Sequence, residues 1–239
     1  MLRKRVNLFG VWIDDISLGG ALLLAEKSFA DNGRARSFFT PNLEMIAAAR
    51  GDKRIKKLLN MSSVALPDGF SLKIIAKALG KEIVNTVPGI DFGEELFELA
   101  QKLGAGVFLL GGRRGVAKEA ARRLRLRYPK LNICGTHHGY FESGGERDVL
   151  DAIERSGAKI LIVCRGFPKQ ESFAAKCIMG ALPSIKVVAC LGGALDVWSG
   201  GLERAPKLMR KMHLEWLYRV AREPKRLSRL FSALYSLQK

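Results

Sequence analysis

Asp68 stands between Pro67 and Gly69, at the end of the apolar run Ser63–Leu66. A carboxylate there is partly withdrawn from water and can take a proton as a general base; it can equally be a turn aspartate that caps the next helix. The stretch Gly111-Gly112-Arg113-Arg114-Gly115 follows another apolar run and opens a helical pattern. Its glycines let backbone amides approach a phosphate, a helix N-terminus favours an anion, and the two arginines add charge. The same glycines also serve any tight strand-to-helix turn. Thr40, Asn42, Gln170 and Glu171 are polar residues at the ends of other predicted strands. They are placed to hydrogen-bond a polar substrate such as a sugar, although Thr40 or Asn42 could instead cap the helix that begins at Leu43. Asp196, among the glycines of LGGALDVWSG, could meet a ribose or a base, or sit in a turn. His137 and His138 are expected on a solvated loop and receive no role.

These residues need a scaffold that brings strand ends together. Apolar runs alternate with helical patterns along the chain. RVNLFGVWI and SFFT predict strands around a helix near Leu18–Phe29. Asn42–Ala49, Arg54–Leu59 and Phe70–Leu79 predict helices, and SVALPDG a short strand between the second and third. Ile90–Leu103 reads as an amphipathic helix with Phe92, Leu96, Leu99 and Leu103 on one face. From Gly106 onward, GVFLLGG, LNICGTH, KILIVCR and KVVACLG alternate with helices over Gly115–Arg127, Glu146–Ser156 and Pro168–Met179. The strands are continuous β-rich runs, which suits a mostly parallel sheet buried on both faces, with right-handed crossovers. The fold class expected is α/β, a Rossmann-like sheet flanked by helices, over residues 1–200. In such sheets ligands bind at the carboxyl ends of the strands, where the candidate residues stand.

Residues 201–239 differ in kind. They hold ten Lys/Arg and three Glu, a net charge of +7, and carry no strand signal. They are expected to form a basic, amphipathic pair of helices broken at Pro224. The whole chain has 239 residues and carries +17, which calls for an anionic partner: nucleic acid, an anionic membrane surface or phosphorylated substrates. The four cysteines form no CxxC, and three lie in strand-like runs, so they read as small core residues in a reducing cytoplasm. The three histidines lack ligand spacing, and no DxD pair is present, so no metal is expected. No stretch reads as a signal peptide or a spanning helix, which predicts a cytoplasmic protein whose membrane contact is peripheral.

Taken together, the segments FFTPNLEMIAAAR, LPDGFSLKIIAKALG, VPGIDF, FLLGGRRGVAKEAARRLRLRYPKLNICGTHHGYF, GFPKQESF, LGGALDVWSGGLERAP and HLEWLYRVAREPKRLSR resemble the WecG/TagA/CpsF glycosyltransferase family, in order and over nearly the whole chain. The resemblance implies a bacterial, metal-independent, inverting enzyme that acts in cell-surface polysaccharide synthesis, teichoic acid among the products. It implies transfer of an N-acetylmannosamine-type sugar from a UDP-sugar to polyprenyl-diphosphate-linked N-acetylglucosamine. By motif position, Asp68 is the general base, Thr40 and Gln170 place donor and acceptor, and Asn42, Tyr140 and Asp196 contact the nucleotide. Gly111, Gly112 and Arg113 remain the phosphate candidates. The tail resembles a membrane-targeting appendage whose arginines, here Arg219, Arg226 and Arg229, reach the site from the inner face of the cell membrane. One departure stands out. Where the family usually has an arginine before VPGID, this chain has Thr86, leaving Arg113, Arg114 or Arg165 to supply that charge.

Rival readings are weaker on these residues. A basic nucleic-acid-binding protein explains the charge but leaves the PDG and PKQE segments without a purpose, so no nucleic acid is expected. A nicotinamide oxidoreductase lacks its GxGxxG, and the strand after GGRRG ends in Thr136, His137 and His138 with no acid to hold a ribose. Another UDP-hexose with a different lipid-linked acceptor stays open, as does a homo-oligomer.

Overall fold

The computed structural model describes residues 4–30, 35–141, 143–211 and 215–222. Among them, eight strands form two sheets. The first is a hairpin of β1 (Lys4–Leu8) and β2 (Val11–Asp15), joined at Phe9–Gly10, where both residues have positive φ. The second sheet has six strands: β3 (Arg36–Phe39), β4 (Val64–Ala65), β5 (Val107–Gly111), β6 (Ile133–His137), β7 (Ile160–Cys164) and β8 (Val187–Cys190). Their order is β4-β3-β8-β7-β5-β6, and every neighbouring pair is parallel. The first half of the chain thus builds outward from β3, the second outward from β5, and β7 and β8 close the middle.

The burial of each strand explains its composition. Ile160–Cys164 and Val187–Cys190 lie mid-sheet and are buried throughout. In β6, at the sheet edge, Ile133 is buried and the next four residues are half-exposed. One face of the sheet is covered by α1 (Leu18–Ala30), α5 (Gly89–Leu103), α6 (Val116–Arg127) and α9 (Ala194–Trp198), with Phe38, Phe92, Phe97 and Trp198 in a single core. Phe97 meets Trp198 edge-on at 4.8 Å between ring centres. The other face carries α7 (Glu146–Arg155) and α8 (Lys169–Lys176), packed on Phe108, Leu161, Val163 and Val188. A third cluster joins the hairpin to α2 (Leu43–Gly51), α3 (Lys53–Leu59) and α4 (Phe70–Ala78) beside β4.

The expected elements are present, with four corrections. Leu103 is exposed: it is the last residue of α5, at the rim of the sheet, where Gly104 in a left-handed conformation ends the helix. The stretch around Asp196 is helical, not a simple turn, since α9 begins directly after Gly192–Gly193 and presses Leu195 and Trp198 into the core. His137 closes β6 instead of lying on a solvated loop, its Nδ1 2.7 Å from the His138 carbonyl. The helix predicted over Pro168–Met179 is α8 followed by a wider turn, Cys177–Ala181.

Beyond residue 200 come two short helices, α10 (Lys207–Lys211) and α11 (Glu215–Arg222). Pro224 and the rest of the tail lie outside the described residues. Arg204, almost buried, ties this segment to the core through Asp91 in the first turn of α5, at 2.6 Å, and sits 3.8 Å from Glu215. Among the described residues no helix is long and apolar enough to cross a membrane.

Candidate active site

Because all six strands run the same way, their carboxyl ends form one edge, and nine of the twelve predicted site residues stand on it. Asp68 follows β4, Thr40 and Asn42 follow β3, and Asp196 follows β8. Gln170 follows β7 at the start of α8, Gly111, Gly112 and Arg113 end β5, and Tyr140 follows β6. Arg219 lies on α11, while Arg226 and Arg229 lie outside the described residues.

At the β4–β3–β8 end the polar groups are tightly bound to the protein. Leu66 N–H donates to the Phe39 carbonyl at 2.8 Å, extending the β3–β4 ladder by one residue toward Asp68. Asp68 itself is half-buried and precedes Gly69, whose φ of 94° turns the chain into α4. Thr40 is buried, and its hydroxyl donates to the Cys190 carbonyl at 2.9 Å, locking β3 to β8. Asn42 is the N-cap of α2, its side-chain oxygen accepting from Met45 N–H at 3.1 Å. The capping alternative is therefore real for Asn42 and absent for Thr40. Val87 N–H donates to the Pro67 carbonyl at 2.9 Å, which brings Thr86 beside the Asp68 turn; the Thr86 hydroxyl is buried without a partner among the described residues.

Gln170 is held on both ends of its amide. Its oxygen accepts from Gly192 N–H at 3.1 Å, and its nitrogen donates to Glu171 at 2.8 Å. Glu171 is fully buried, so the expectation that it hydrogen-bonds substrate fails: no solvent path reaches it from the edge. Burial pushes its carboxyl up to about 7, against the stabilising donation from Gln170. A neutral or half-ionised acid behind Gln170 is a support that sequence reading misses, because PKQE at the start of a helix reads as a polar, solvated turn. Its signal is the pairing of a buried strand end with a helix that begins at once.

The β5–β6 end is open by comparison. Gly111 has φ 145°, and a Cβ there would lie 2.1 Å from the Cys164 carbonyl oxygen, so this glycine serves strand packing. Gly112 N–H donates to that same carbonyl at 3.1 Å and is not available to a phosphate. Of the GGRRG turn, Arg113, Arg114 and Gly115 are exposed just ahead of α6, whose first residue, Val116, is half-buried. Asp196 faces Arg113; burial raises its carboxyl and Arg113 lowers it in part. Tyr140 is 70% exposed. It sits between Gly139, whose carbonyl accepts from Arg165 Nε at 3.0 Å, and Phe141, whose ring lies 3.7 Å from the Arg165 guanidinium. Arg165 is thereby committed to the loop. A cleft of about 580 Å³ opens here, lined by Arg114, His137, His138, Tyr140, Phe141 and Asp148 among others. Among the described residues no cluster of three His, Cys, Asp or Glu side chains is placed to hold a metal ion.

Residues 6–237 match the sequence model of the glycosyl transferase WecG/TagA/CpsF family. The chain is also similar to an N-acetylglucosaminyldiphosphoundecaprenol N-acetyl-beta-D-mannosaminyltransferase from Bacillus spizizenii. The two are 31% identical over 207 residues, which covers 87% of this chain and 79% of that protein.

Proposed function

This chain belongs to the WecG/TagA/CpsF family of glycosyltransferases, and we propose that it transfers an N-acetylmannosamine-type sugar from a UDP donor to polyprenyl-diphosphate-linked N-acetylglucosamine, with inversion, during cell-surface polysaccharide synthesis. The observation that carries this reading is the gathering of Asp68, Thr40, Gln170, Asp196 and Tyr140 on one carboxyl edge of a parallel sheet. Such an edge is where α/β sheets bind nucleotides.

An acceptor hydroxyl is a poor nucleophile until its proton is drawn away. Asp68 takes that proton as the hydroxyl oxygen bonds to the anomeric carbon. The bond from that carbon to the UDP oxygen breaks, and the electron pair leaves with UDP. Arg113, Arg114 and the amino end of α6 stabilise the growing negative charge without a metal. Thr40 and Gln170, fixed by Cys190, Gly192 and Glu171, hold the edge in register so that Asp68 meets the acceptor on the face opposite UDP. Asn42, Tyr140 and Asp196 flank the nucleotide. Residues 201–239 form the membrane-directed appendage of a core that spans 1–200. Their arginines, Arg219, Arg226 and Arg229, serve an anionic lipid surface and the diphosphate that lies on it.

UDP release from UDP-N-acetylmannosamine, measured with a short-lipid diphospho-N-acetylglucosamine acceptor in EDTA, tests the proposal. Acceptor-dependent release supports it. Release that needs added Mg²⁺ or Mn²⁺ sinks the metal-free step. Release with a different UDP-hexose alone moves the donor, with Thr86 beside the Asp68 turn as the first residue to exchange for arginine.

A further inference from the structure

Two adjacent carboxylates of the hairpin, Asp14 and Asp15, take no part in the chemistry above, yet the side chains of both are withdrawn from water. They end β2, where the antiparallel register sets Arg5 against Asp14 and Lys4 against Asp15. A buried carboxylate is costly unless it is paired and hydrogen-bonded, so the partners of each one matter. Asp14 reaches the large sheet. β4 is its end strand, with β3 as neighbour, and Leu66 N–H just beyond β4 points to β3. The N–H of Ala65, one residue earlier, points to the free edge, and Asp14 Oδ2 accepts it at 2.7 Å. Asp14 Oδ1 lies 3.1 Å from Arg5 Nε.

Asp15 reaches residues 81–88, an irregular segment that precedes α5. Its carboxylate accepts from Val84 N–H at 3.1 Å, and from Asn85 through the backbone N–H at 2.9 Å and the side-chain nitrogen at 2.8 Å. Burial works against its charge, but the Asn85 and Val84 donors, with Lys4 at 3.9 Å, hold the carboxyl below the usual carboxylate range. Both anchors lie next to the Asp68 turn. Ala65 comes shortly before Asp68 in the chain, and Val87, shortly after Asn85, donates its N–H to the Pro67 carbonyl at 2.9 Å. Asp68 is followed by Gly69, whose backbone is permissive, so stiffness in this turn has to come from its neighbours. We propose that Asp14 and Asp15 are positioning residues for Asp68, the first fixing the strand that enters its turn and the second the loop that lies against it. A misplacement of about 1 Å at a reacting group can cost about 100-fold in rate, which is the scale on which such anchors act. The proposal rests on the reading of Asp68 as general base given above.

The test uses the full chain and the UDP-release assay, with UDP affinity measured by calorimetry. Asp15→Ala should lower transfer at saturating substrates about 10- to 100-fold and leave UDP affinity within about threefold. Asp15→Asn keeps an oxygen for Asn85 and should stay within about fivefold of wild type. Hydrogen exchange in Asp15→Ala should quicken at residues 64–69 and 82–88 and stay unchanged in β5 and β7. Because Asp15 acts through Asp68, the Asp15→Ala/Asp68→Asn double variant should transfer no more slowly than Asp68→Asn alone. Asp14→Ala should repeat the split between rate and affinity; if it does not fold, the two Asp15 variants decide. Full activity in Asp15→Ala despite faster exchange overturns the proposal, and so do effects that multiply in the double variant. An equal loss of transfer and UDP binding also overturns it, by leaving the hairpin a part of the fold alone. A fully active Asp15→Ala beside an inactive Asp68→Asn removes the anchors and keeps the base. An Asp68→Asn variant as active as wild type removes the base itself.

Discussion

The two ends of the sheet edge are built on opposite plans. From β4 to β7 the polar side chains are buried or half-buried and spent on the protein: Thr40 on Cys190, Asn42 on Met45, Gln170 on Gly192 and Glu171. At β5–β6 the charged and aromatic groups, Arg113, Arg114 and Tyr140, stand in water beside an open cleft. A reacting centre gains from donors and acceptors that need no rearrangement, because reorganisation is then already complete when charge develops. A nucleotide that must enter and leave is better served by exposed cations and a ring that can be covered. Under the proposed function, bond-making belongs to the first end and donor holding to the second.

The largest effect that separates the two ends is expected at Asp68. Asp68→Asn removes the proton acceptor and keeps the shape. Transfer should fall about 10²- to 10⁴-fold while UDP affinity stays within about threefold. A parallel loss of UDP affinity would dissolve the distinction, since the base would then also be a donor-binding group.

Glu171 tests how dry the closed end is. Its unfolded carboxyl titrates at about 4.5, its folded one at about 7, because burial disfavours the ionised form. Between those values the folded chain keeps the proton that the unfolded chain has lost. Stability contributed by this group is therefore fully present below pH 4.5 and is lost as pH rises through 7. The total is on the order of 3 kcal/mol. Melting curves of wild type and Glu171→Gln across that range should diverge with pH, with the glutamine variant holding its midpoint as wild type falls. Curves that stay parallel would mean that water reaches the carboxyl.

Much of this could be read from the sequence, for a physical reason. Continuous apolar runs such as ILIVC tolerate one environment, the middle of a parallel sheet, and β7 is there. Once the strands are parallel, every residue just after one falls on the same edge, so Asp68, Thr40, Gln170 and Tyr140 share that edge although some 130 positions separate the first and last in the chain. What stayed hidden depends on which partner each polar atom finds. PKQE shows a polar turn and conceals that Glu171 is sealed behind Gln170. GGRRG suggests a phosphate cradle, yet Gly111 and Gly112 are fixed by the Cys164 carbonyl, a contact across strands far apart in sequence. Local pattern reports the edge; only the fold reports how much of each side chain is left over for a ligand.

The smallest expected effect is at the open end, and it concerns how Tyr140 is presented. Arg165 holds the residues on both sides of Tyr140, through the Gly139 carbonyl and the face of Phe141. A stacked, partly desolvated guanidinium with one hydrogen bond is worth about 1–2 kcal/mol. Arg165→Met should therefore weaken UDP binding about 5- to 10-fold with little change in the rate at saturating donor, and Tyr140→Ala should do much the same. The combination carries the argument. If Arg165 acts by presenting the Tyr140 ring, removing the ring leaves it nothing to present. The double variant should then bind UDP about as well as Tyr140→Ala alone, a coupling of about 1 kcal/mol. Effects that multiply instead would show Arg165 acting on the nucleotide by itself, and the open end would then gain a third cation in place of a rigid loop.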